Sequence, residues 1–344
     1  MRVGLSYWGF CENFNESSVS NTPDGHRYGR PVLVDSLLSR NHEVFALQDK
    51  RESSSYRGLY YDYAGSGYPD LDVLFIEWRW PTYKNSGPHK FEPDLDRQID
   101  LLNFYHGKIP IIAWDTDLKM TPEDERSWPE IIIADPSFEP SFLTRKRHRL
   151  TFWSDFTPLI SDPLIVSELG YIGNNYERDE MFQKYYCFPS RDLRASGIQT
   201  KVHGNWLQRS PERASPEELI SRHPYIAFGP RVSFKDSMEL LSSFACTVHI
   251  TKPSYAKCGF ASPRYLENIV VGTPALVPQE FLHNKILGDE WCVSSSGDVV
   301  KKVKYLSGLS VENRQEVVQS QMHNLLQHHD FSVGSVVDFI ESLA

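Results

Sequence analysis

Cysteine is scarce in this sequence of 344 residues, and its placement argues against metal or disulfide chemistry. The five cysteines are scattered and odd in number, and none belongs to a Cys-x-x-Cys pair or a Cys/His cluster. A zinc site and a disulfide framework are therefore unsupported, and a reducing compartment fits the sequence.

Long apolar runs are missing too, and so is any excess of positive charge. No apolar stretch reaches the roughly 18 residues that a membrane-spanning helix needs, so we expect no membrane span. The N-terminus reads as a strand rather than the apolar core of a signal peptide, which favours a cytoplasmic protein. The net charge of −9 provides no global field that would attract nucleic acid.

Short apolar strands alternate with amphipathic helices along the chain, which predicts an α/β fold. Arg2–Tyr7, Arg30–Arg40 and Glu43–Leu47 read as strand, helix and strand, the opening of a doubly wound domain. A second series begins at the strand Leu169–Ile172, and Leu150–Trp153 is the expected last strand of the first series. The predicted domains are 1–160 and 161–328, with a helix in 329–344 that packs back on the first domain.

The most informative segment runs from Gly259 to Pro274. It reads as a glycine-containing loop, a helix and a Gly-Thr-Pro turn before a short buried strand. The first turn of such a helix has free N–H groups and a positive dipole end, so it favours an anion. Arg264 adds a phosphate-binding fork there, and Glu267, one turn later, suits the vicinal hydroxyls of a ribose. The combination predicts a nucleoside diphosphate site.

The run from Tyr225 to Pro278 resembles the C-terminal domain of group 1 GT-B glycosyltransferases. The likeness is strongest to the bacterial and phage branch similar to spore-maturation glycosyltransferases, and rests on Arg264-Tyr265-Leu266-Glu267 followed by Gly272-Thr273-Pro274. It implies GT-B architecture, with two facing Rossmann-like domains and an interdomain cleft. It also implies a nucleotide-sugar donor, most simply a UDP-hexose, on the second domain, and neither cofactor nor metal.

One position departs from the pattern of this family. Many retaining members carry a Glu-x7-Glu pair whose first glutamate lies near the transferred sugar. Glu267 matches the second glutamate, but Gly259 occupies the first position. The sugar contact is therefore either absent or supplied by another residue, and the sugar and the stereochemical outcome stay open.

Further donor-site candidates follow the strands of the second series. The segment Tyr171–Arg178 looks like the strand and loop that open the donor domain of this family, and a glycine there lets the backbone approach a phosphate. Ordinary turns and helix caps would account for several of these residues equally well. The predicted donor-binding residues are Gly173, Asn174, Tyr176, Arg178, Arg231, Val232, Ser262, Arg264 and Glu267.

An inverting enzyme needs a base for the acceptor hydroxyl, and three side chains of the first half are candidates. Asp115 and Asp117 follow the predicted strand Ile109–Trp114. His26 lies in the loop after the first strand, and an unperturbed histidine has a suitable pKa of about 6.5. The alternatives are that Asp115 binds backbone N–H groups, that Asp117 caps a turn and that His26 is solvated.

A basic run at Arg145–Arg149 contrasts with the acidic chain. Arg145, Lys146, Arg147 and Arg149 could follow a phosphate backbone, with Phe152 and Trp153 as stacking rings for bases. A charged loop before a strand is the alternative explanation. The resemblance gives the run weight, since phage enzymes of this architecture glycosylate hydroxymethylated pyrimidines in DNA, which requires extrusion of the base.

The sequence thus predicts a glycosyltransferase that uses a nucleotide-sugar donor, with double-stranded DNA carrying a 5-hydroxymethylpyrimidine as the leading acceptor. A small-molecule or cell-surface polymer acceptor is the next hypothesis. Two other classes remain open: a UDP-sugar epimerase of GT-B shape and a non-catalytic nucleotide-sugar-binding protein. Turnover without an acceptor would indicate the epimerase, and donor binding without turnover the binding protein.

Overall fold

A computed structural model describes residues 1–7, 29–48, 58–78, 93–139, 146–160, 166–208 and 215–344. These residues divide into two compact units. The first consists of the described residues in 1–155 together with 332–344, and the second of those in 156–331.

The first unit contains a sheet of six parallel strands in the order β2-β1-β3-β4-β5-β6. Its inner strands are apolar on both faces, as expected when helices cover both sides of a parallel sheet. The strands are β1 (Arg2–Ser6), β2 (Glu43–Ala46), β3 (Val73–Glu77), β4 (Ile111–Trp114), β5 (Ile132–Asp135) and β6 (His148–Arg149). The helices are Gly29–Ser39, Tyr63–Ser66, Pro93–Tyr105, Pro122–Ser127 and Val333–Glu341.

The prediction of a strand at Leu150–Trp153 is wrong, since the last strand of this sheet is His148–Arg149. The segment after it packs its rings into the core. Trp114 and Trp153 have ring centroids 4.3 Å apart, and the Trp153 indole donates to the Gly29 carbonyl at 2.6 Å. Burial of large rings therefore takes precedence over strand pairing here.

The second unit contains another sheet of six parallel strands, in the order β12-β11-β10-β7-β8-β9. The strands are β7 (Val166–Ile172), β8 (Gln199–His203), β9 (Ile226–Gly229), β10 (Phe244–Val248), β11 (Ala275–Pro278) and β12 (Cys292–Val293). The α-helices are Asp179–Phe182, Phe188–Ala195, Pro216–Arg222, Phe234–Ser243, Pro253–Cys258, Arg264–Val270, Ser296–Ser307 and Val311–His328, with a π-helical turn at Gln183–Cys187.

A tyrosine of the π-helical turn is inserted at the centre of the second sheet. The Tyr186 hydroxyl accepts the Val248 N–H at 2.8 Å and lies 2.9 Å from the carbonyls of Gly170 and Val248. The register of β7 and β10 shifts nearby, between Phe244 and Cys246. The side chain thus replaces main-chain pairing where the strand order reverses, and burial raises its pKa.

The helix Val333–Glu341 packs on the helix Gly29–Ser39 of the first unit, which lies far earlier in the sequence. Its buried side chains are Val336, Val337 and Ile340. Arg40 joins the two helices through ion pairs to Asp338 and Glu341 at 2.5 Å and 2.9 Å. In the part of the chain that the structure describes, no helix is long and apolar enough to cross a membrane.

Candidate functional site

The loops at the carboxyl edge of the second sheet form the candidate donor site. Ile172 at the end of β7 pairs with His203, and His203 pairs with Gly229, so the loops after β7, β8 and β9 start level with one another. The segments after β10 and β11 leave the same edge. Ligands of doubly wound sheets bind at this edge, where the strand order reverses.

Two glycines let the loops after β7 and β8 approach closely. Gly204 has φ +150°, and a Cβ there would lie 2.1 Å from the Gly173 carbonyl oxygen. The Gly173 N–H donates to the His203 carbonyl at 2.9 Å, and the Trp206 indole donates to the Gly173 carbonyl at 2.8 Å. Gly173 is thus fixed in a backbone-lined position at the switch point.

Asparagine side chains then tie the two loops together. The Asn175 N–H donates to Asn205 Oδ1 at 2.7 Å, and the Asn205 N–H donates to Asn174 Oδ1 at 3.2 Å. Arg178 Nη1 donates to the Asn174 carbonyl at 2.7 Å, whereas the Tyr176 side chain is exposed. In this structure Asn174 and Arg178 hold the loop, and their predicted ligand contacts stay predictions.

Arg264 and Glu267 are brought together, as their spacing predicts. They form an ion pair between Nη1 and Oε2 one turn apart on the helix Arg264–Val270. The Glu267 carboxylate is 1% exposed, and its Oε1 has no hydrogen-bond partner among the described residues. Ser262, half-buried, lies at the start of this helix, where its carbonyl accepts the Tyr265 N–H.

A histidine that the sequence did not single out belongs to the same cluster. His249 follows β10 and is buried, and its Nε2 lies 3.0 Å from Asn268 Oδ1 on the same helix as Arg264 and Glu267. Burial lowers the pKa of His249 to about 4, the hydrogen bond with Asn268 opposes this shift, and the charge of Arg264 adds to it. A single histidine after an apolar strand has no spacing pattern that would have revealed it.

Arg231 and Val232 follow β9, the edge strand that lies two places from β7. Arg231 is exposed and Val232 half-buried. The carbonyl of Pro230, just before them, lies 3.3 Å from His203 Nδ1. Burial lowers the pKa of His203, which favours a neutral ring at this end of the edge.

In the first unit, Asp115 is held by structural contacts. It is fully buried and accepts hydrogen bonds from the backbone N–H groups of Lys119 and Met120 at 2.7 Å and 2.9 Å. Its Oδ2 also pairs with Arg147 Nη2 at 2.8 Å. This matches the backbone-binding alternative, and it leaves Asp117, which is exposed, as the accessible carboxylate of the loop after β4.

The basic run contains both a buried side chain and exposed ones. The Arg147 side chain is 2% exposed and bridges Asp115 and Asp135, so its expected contact with phosphate is wrong for this structure. Burial raises the pKa of Asp135, with Arg147 and Ser137 opposing the shift. Lys146 and Arg149 are exposed, and Arg145 and His26 lie outside the described residues.

The expected stacking role of Phe152 and Trp153 is wrong as well. The two side chains are only 4% and 2% exposed, and both pack against the Trp114 ring. Their faces are thus occupied by the core of the first unit. Across the residues that the structure describes, no group of three or more His, Cys, Asp and Glu side chains could hold a metal ion.

Comparisons by sequence found no relatives. No protein-family model matches the chain, and no curated protein matches it.

Solved structures, in contrast, match nearly the full length. An alpha-glucosyltransferase in complex with UDP and a 13-mer DNA containing an HMU base superposes with a TM-score of 0.69 at 15% identity, over 99% of each chain. The T4 phage beta-glucosyltransferase superposes with a TM-score of 0.61 at 12% identity, over 95% of each chain. AviGT4, a glycosyltransferase involved in avilamycin A biosynthesis, has a TM-score of 0.58 at 12% identity, over 100% of this chain and 96% of its own.

At these identities the superpositions establish the fold. Two six-stranded parallel sheets in successive units, matched over nearly the whole chain by three glycosyltransferases, confirm the predicted α/β class and the GT-B architecture. The chain has the GT-B glycosyltransferase fold.

Proposed function

We propose that this protein is a glycosyltransferase that moves a hexose from a UDP-sugar to the hydroxyl of a 5-hydroxymethylpyrimidine in DNA. The observation that carries the donor half is the ion pair between Arg264 and the buried Glu267 at the carboxyl edge of the second sheet. A buried carboxylate with one unpartnered oxygen is suited to accept hydrogen bonds from ribose hydroxyls. The partly exposed Arg264 guanidinium supplies charge for the diphosphate.

The acceptor half rests on the similar structures. One was solved with UDP and DNA containing an HMU base, and another with UDP-glucose and DNA containing an abasic site. Both match this chain over 99% of its length, which supports the same classes of donor and acceptor here. Lys146 and Arg149, which are exposed, are the members of the basic run that remain proposed phosphate contacts. A cytoplasmic location, where UDP-sugars and DNA are both present, is part of this proposal.

The proposed chemistry is a displacement at the anomeric carbon of the sugar. The acceptor oxygen forms the new C–O bond and loses its proton to a carboxylate, for which we propose Asp117. The bond from the anomeric carbon to the phosphate oxygen breaks, and its electron pair leaves with UDP. Arg264 stabilises the negative charge that develops on the diphosphate.

A small-molecule acceptor is the second candidate, and one observation favours it. AviGT4, which takes part in the biosynthesis of avilamycin A, matches the whole of this chain. The burial of Arg147, Phe152 and Trp153 also removes three of the predicted nucleic-acid contacts.

Release of UDP from a panel of UDP-sugars tests the proposal. Double-stranded DNA with 5-hydroxymethyluracil or 5-hydroxymethylcytosine is compared with the same DNA unmodified. We expect release that depends on the modified base and is lost in Glu267→Gln. UDP release that is independent of DNA but increases with small hydroxylated acceptors would support the second candidate. No UDP release with any donor and acceptor would contradict both candidates.

A further inference from the structure

The ring of His249 has a defined tautomer because its neighbour Asn268 has a defined orientation. Asn268 Nδ2 donates to Thr247 Oγ1 at 3.0 Å and to the Thr273 carbonyl at 3.1 Å. The amide oxygen of Asn268 therefore faces His249, and His249 Nε2 must carry the proton that it donates across 3.0 Å. The other ring nitrogen, Nδ1, is then a hydrogen-bond acceptor in the neutral ring.

That acceptor is buried and unused. His249 is 8% exposed, and Nδ1 has no hydrogen-bond partner among the described residues. The ring is held on a second side by Tyr265, whose ring centroid lies 4.2 Å away in an edge-on arrangement. Because the pKa of His249 is about 4, the ring stays neutral near pH 7, and Nδ1 keeps its lone pair.

Glu267, the residue before Asn268 on the helix Arg264–Val270, presents a second unused acceptor. Its Oε1 is buried without a partner, and Arg264 connects the two sites, since it pairs with Glu267 and its charge acts on His249. A buried acceptor without a hydrogen bond destabilises the folded protein unless something donates to it. Two such acceptors beside one arginine favour a molecule that carries phosphate for the arginine and hydroxyl groups for the acceptors.

We propose that His249 is a donor-binding residue whose Nδ1 accepts a hydrogen bond from a hydroxyl of the sugar nucleotide. This inference rests on the proposed function. It supplies a neutral acceptor at the same edge of the second sheet as the Arg264–Glu267 pair. The hydroxyl belongs to either the transferred hexose or the ribose, which share this chemistry.

Two substitutions separate the ligand contact from the structural one. His249→Gln keeps an amide N–H near the position of Nε2, so it preserves the bond to Asn268 and removes the acceptor at Nδ1. His249→Asn keeps an amide oxygen near Nδ1 and loses the bond to Asn268. We expect both variants to fold, with the glutamine variant closer to the wild type in stability, and a thermal melt checks this.

Binding of UDP-glucose, UDP and their deoxy analogues to the wild type and both variants tests the proposal by calorimetry. We expect His249→Gln to raise the Kd for UDP-glucose about tenfold, as for one lost hydrogen bond, and His249→Asn to raise it less. For the deoxy analogue that lacks the contacted hydroxyl, the wild type and the His249→Gln variant should have the same affinity. If the His249→Gln variant loses as much affinity for UDP as for UDP-glucose, the ribose supplies that hydroxyl. If it loses affinity for UDP-glucose alone, the hexose supplies it.

Equal losses for every analogue would show a purely structural role and overturn the inference, as would unchanged binding in both variants. Glu267→Gln is the reference. If it weakens the binding of UDP while the His249 variants bind both UDP and UDP-glucose like the wild type, the donor site stands and only this inference fails. If the wild type binds none of these nucleotides, the proposed function fails, and the inference fails with it.

Discussion

Arg147 donates to Asp115 across 2.8 Å inside the first unit, so a residue predicted to bind DNA neutralises a residue predicted to be the base. Arg147 also pairs with Asp135, and the three side chains are at most 2% exposed. Loss of the arginine leaves two buried carboxylates without a cation. We expect Arg147→Met to lower the free energy of unfolding by about 3–5 kcal/mol in urea titrations.

Lys146→Met is the matched control for this prediction. Lys146 belongs to the same basic run but is exposed, so its loss should change the stability by less than about 0.5 kcal/mol. A stable Arg147→Met protein with weakened DNA binding would contradict the structural role that we assign to Arg147.

The Arg264–Glu267 pair predicts the affinity for nucleotide. Glu267→Gln and Arg264→Ala should each weaken UDP binding by about 1–3 kcal/mol, because charge-assisted hydrogen bonds are lost. Isothermal calorimetry measures the change. Glu239→Gln, on an exposed position of the helix Phe234–Ser243, serves as the control and should bind UDP like the wild type. Unchanged affinity in both site variants would remove the donor site from this edge of the sheet.

Asp117 is the proposed base, and its loss should affect the rate rather than donor binding. We expect Asp117→Asn to reduce kcat by about 10²- to 10⁴-fold while the Kd for UDP-glucose is unchanged. Glu123→Gln, an exposed carboxylate on the next helix, should retain the wild-type rate. A normal kcat in Asp117→Asn would assign the base to another residue.

His249 predicts how stability depends on pH. Its pKa is about 4 in the folded protein and about 6.5 in an unfolded chain, so between these values the unfolded state binds the proton and the folded state does not. The folded state should therefore lose roughly 3 kcal/mol through this group as the pH falls from 6.5 to 4. His249→Gln removes this pH dependence, so the variant's free energy of unfolding should rise by that amount relative to that of the wild type as the pH falls. A constant difference from pH 7 to pH 4 would show that the ring is not held neutral.

The sequence predicted elements well where apolar periodicity decides them. The predicted strands Glu43–Leu47 and Ile109–Trp114 are found at Glu43–Ala46 and Ile111–Trp114, within two residues of the expected bounds. The prediction failed where the burial of a side chain depends on partners that are distant in the sequence. Arg147 is buried because Asp135 and Asp115, 12 and 32 residues away, sit at the ends of neighbouring strands. No local pattern marks an arginine whose partners are brought in by the sheet.

In the candidate site, too, local spacing could be predicted from the sequence, whereas contacts between distant segments could not. The spacing of Arg264 and Glu267 on one helix is local, so the sequence revealed that they lie together. The bond between His249 and Asn268 joins a strand end to a helix 19 residues later, and only the fold brings them together. The helix Pro253–Cys258 was missed because it is short and ends at the left-handed Gly259, which suggests a loop.

The packing of the helix Val333–Glu341 on Gly29–Ser39 has a consequence for the order of folding. Arg40 and Asp338, which pair across this contact, are 298 residues apart in the sequence. A ribosome releases the whole of the second unit before it releases this helix. During synthesis the second unit can therefore complete its fold first. Until the last helix is released, the surface of Gly29–Ser39 on which it packs stays uncovered. The unit whose synthesis starts first is therefore the one whose surface is covered last.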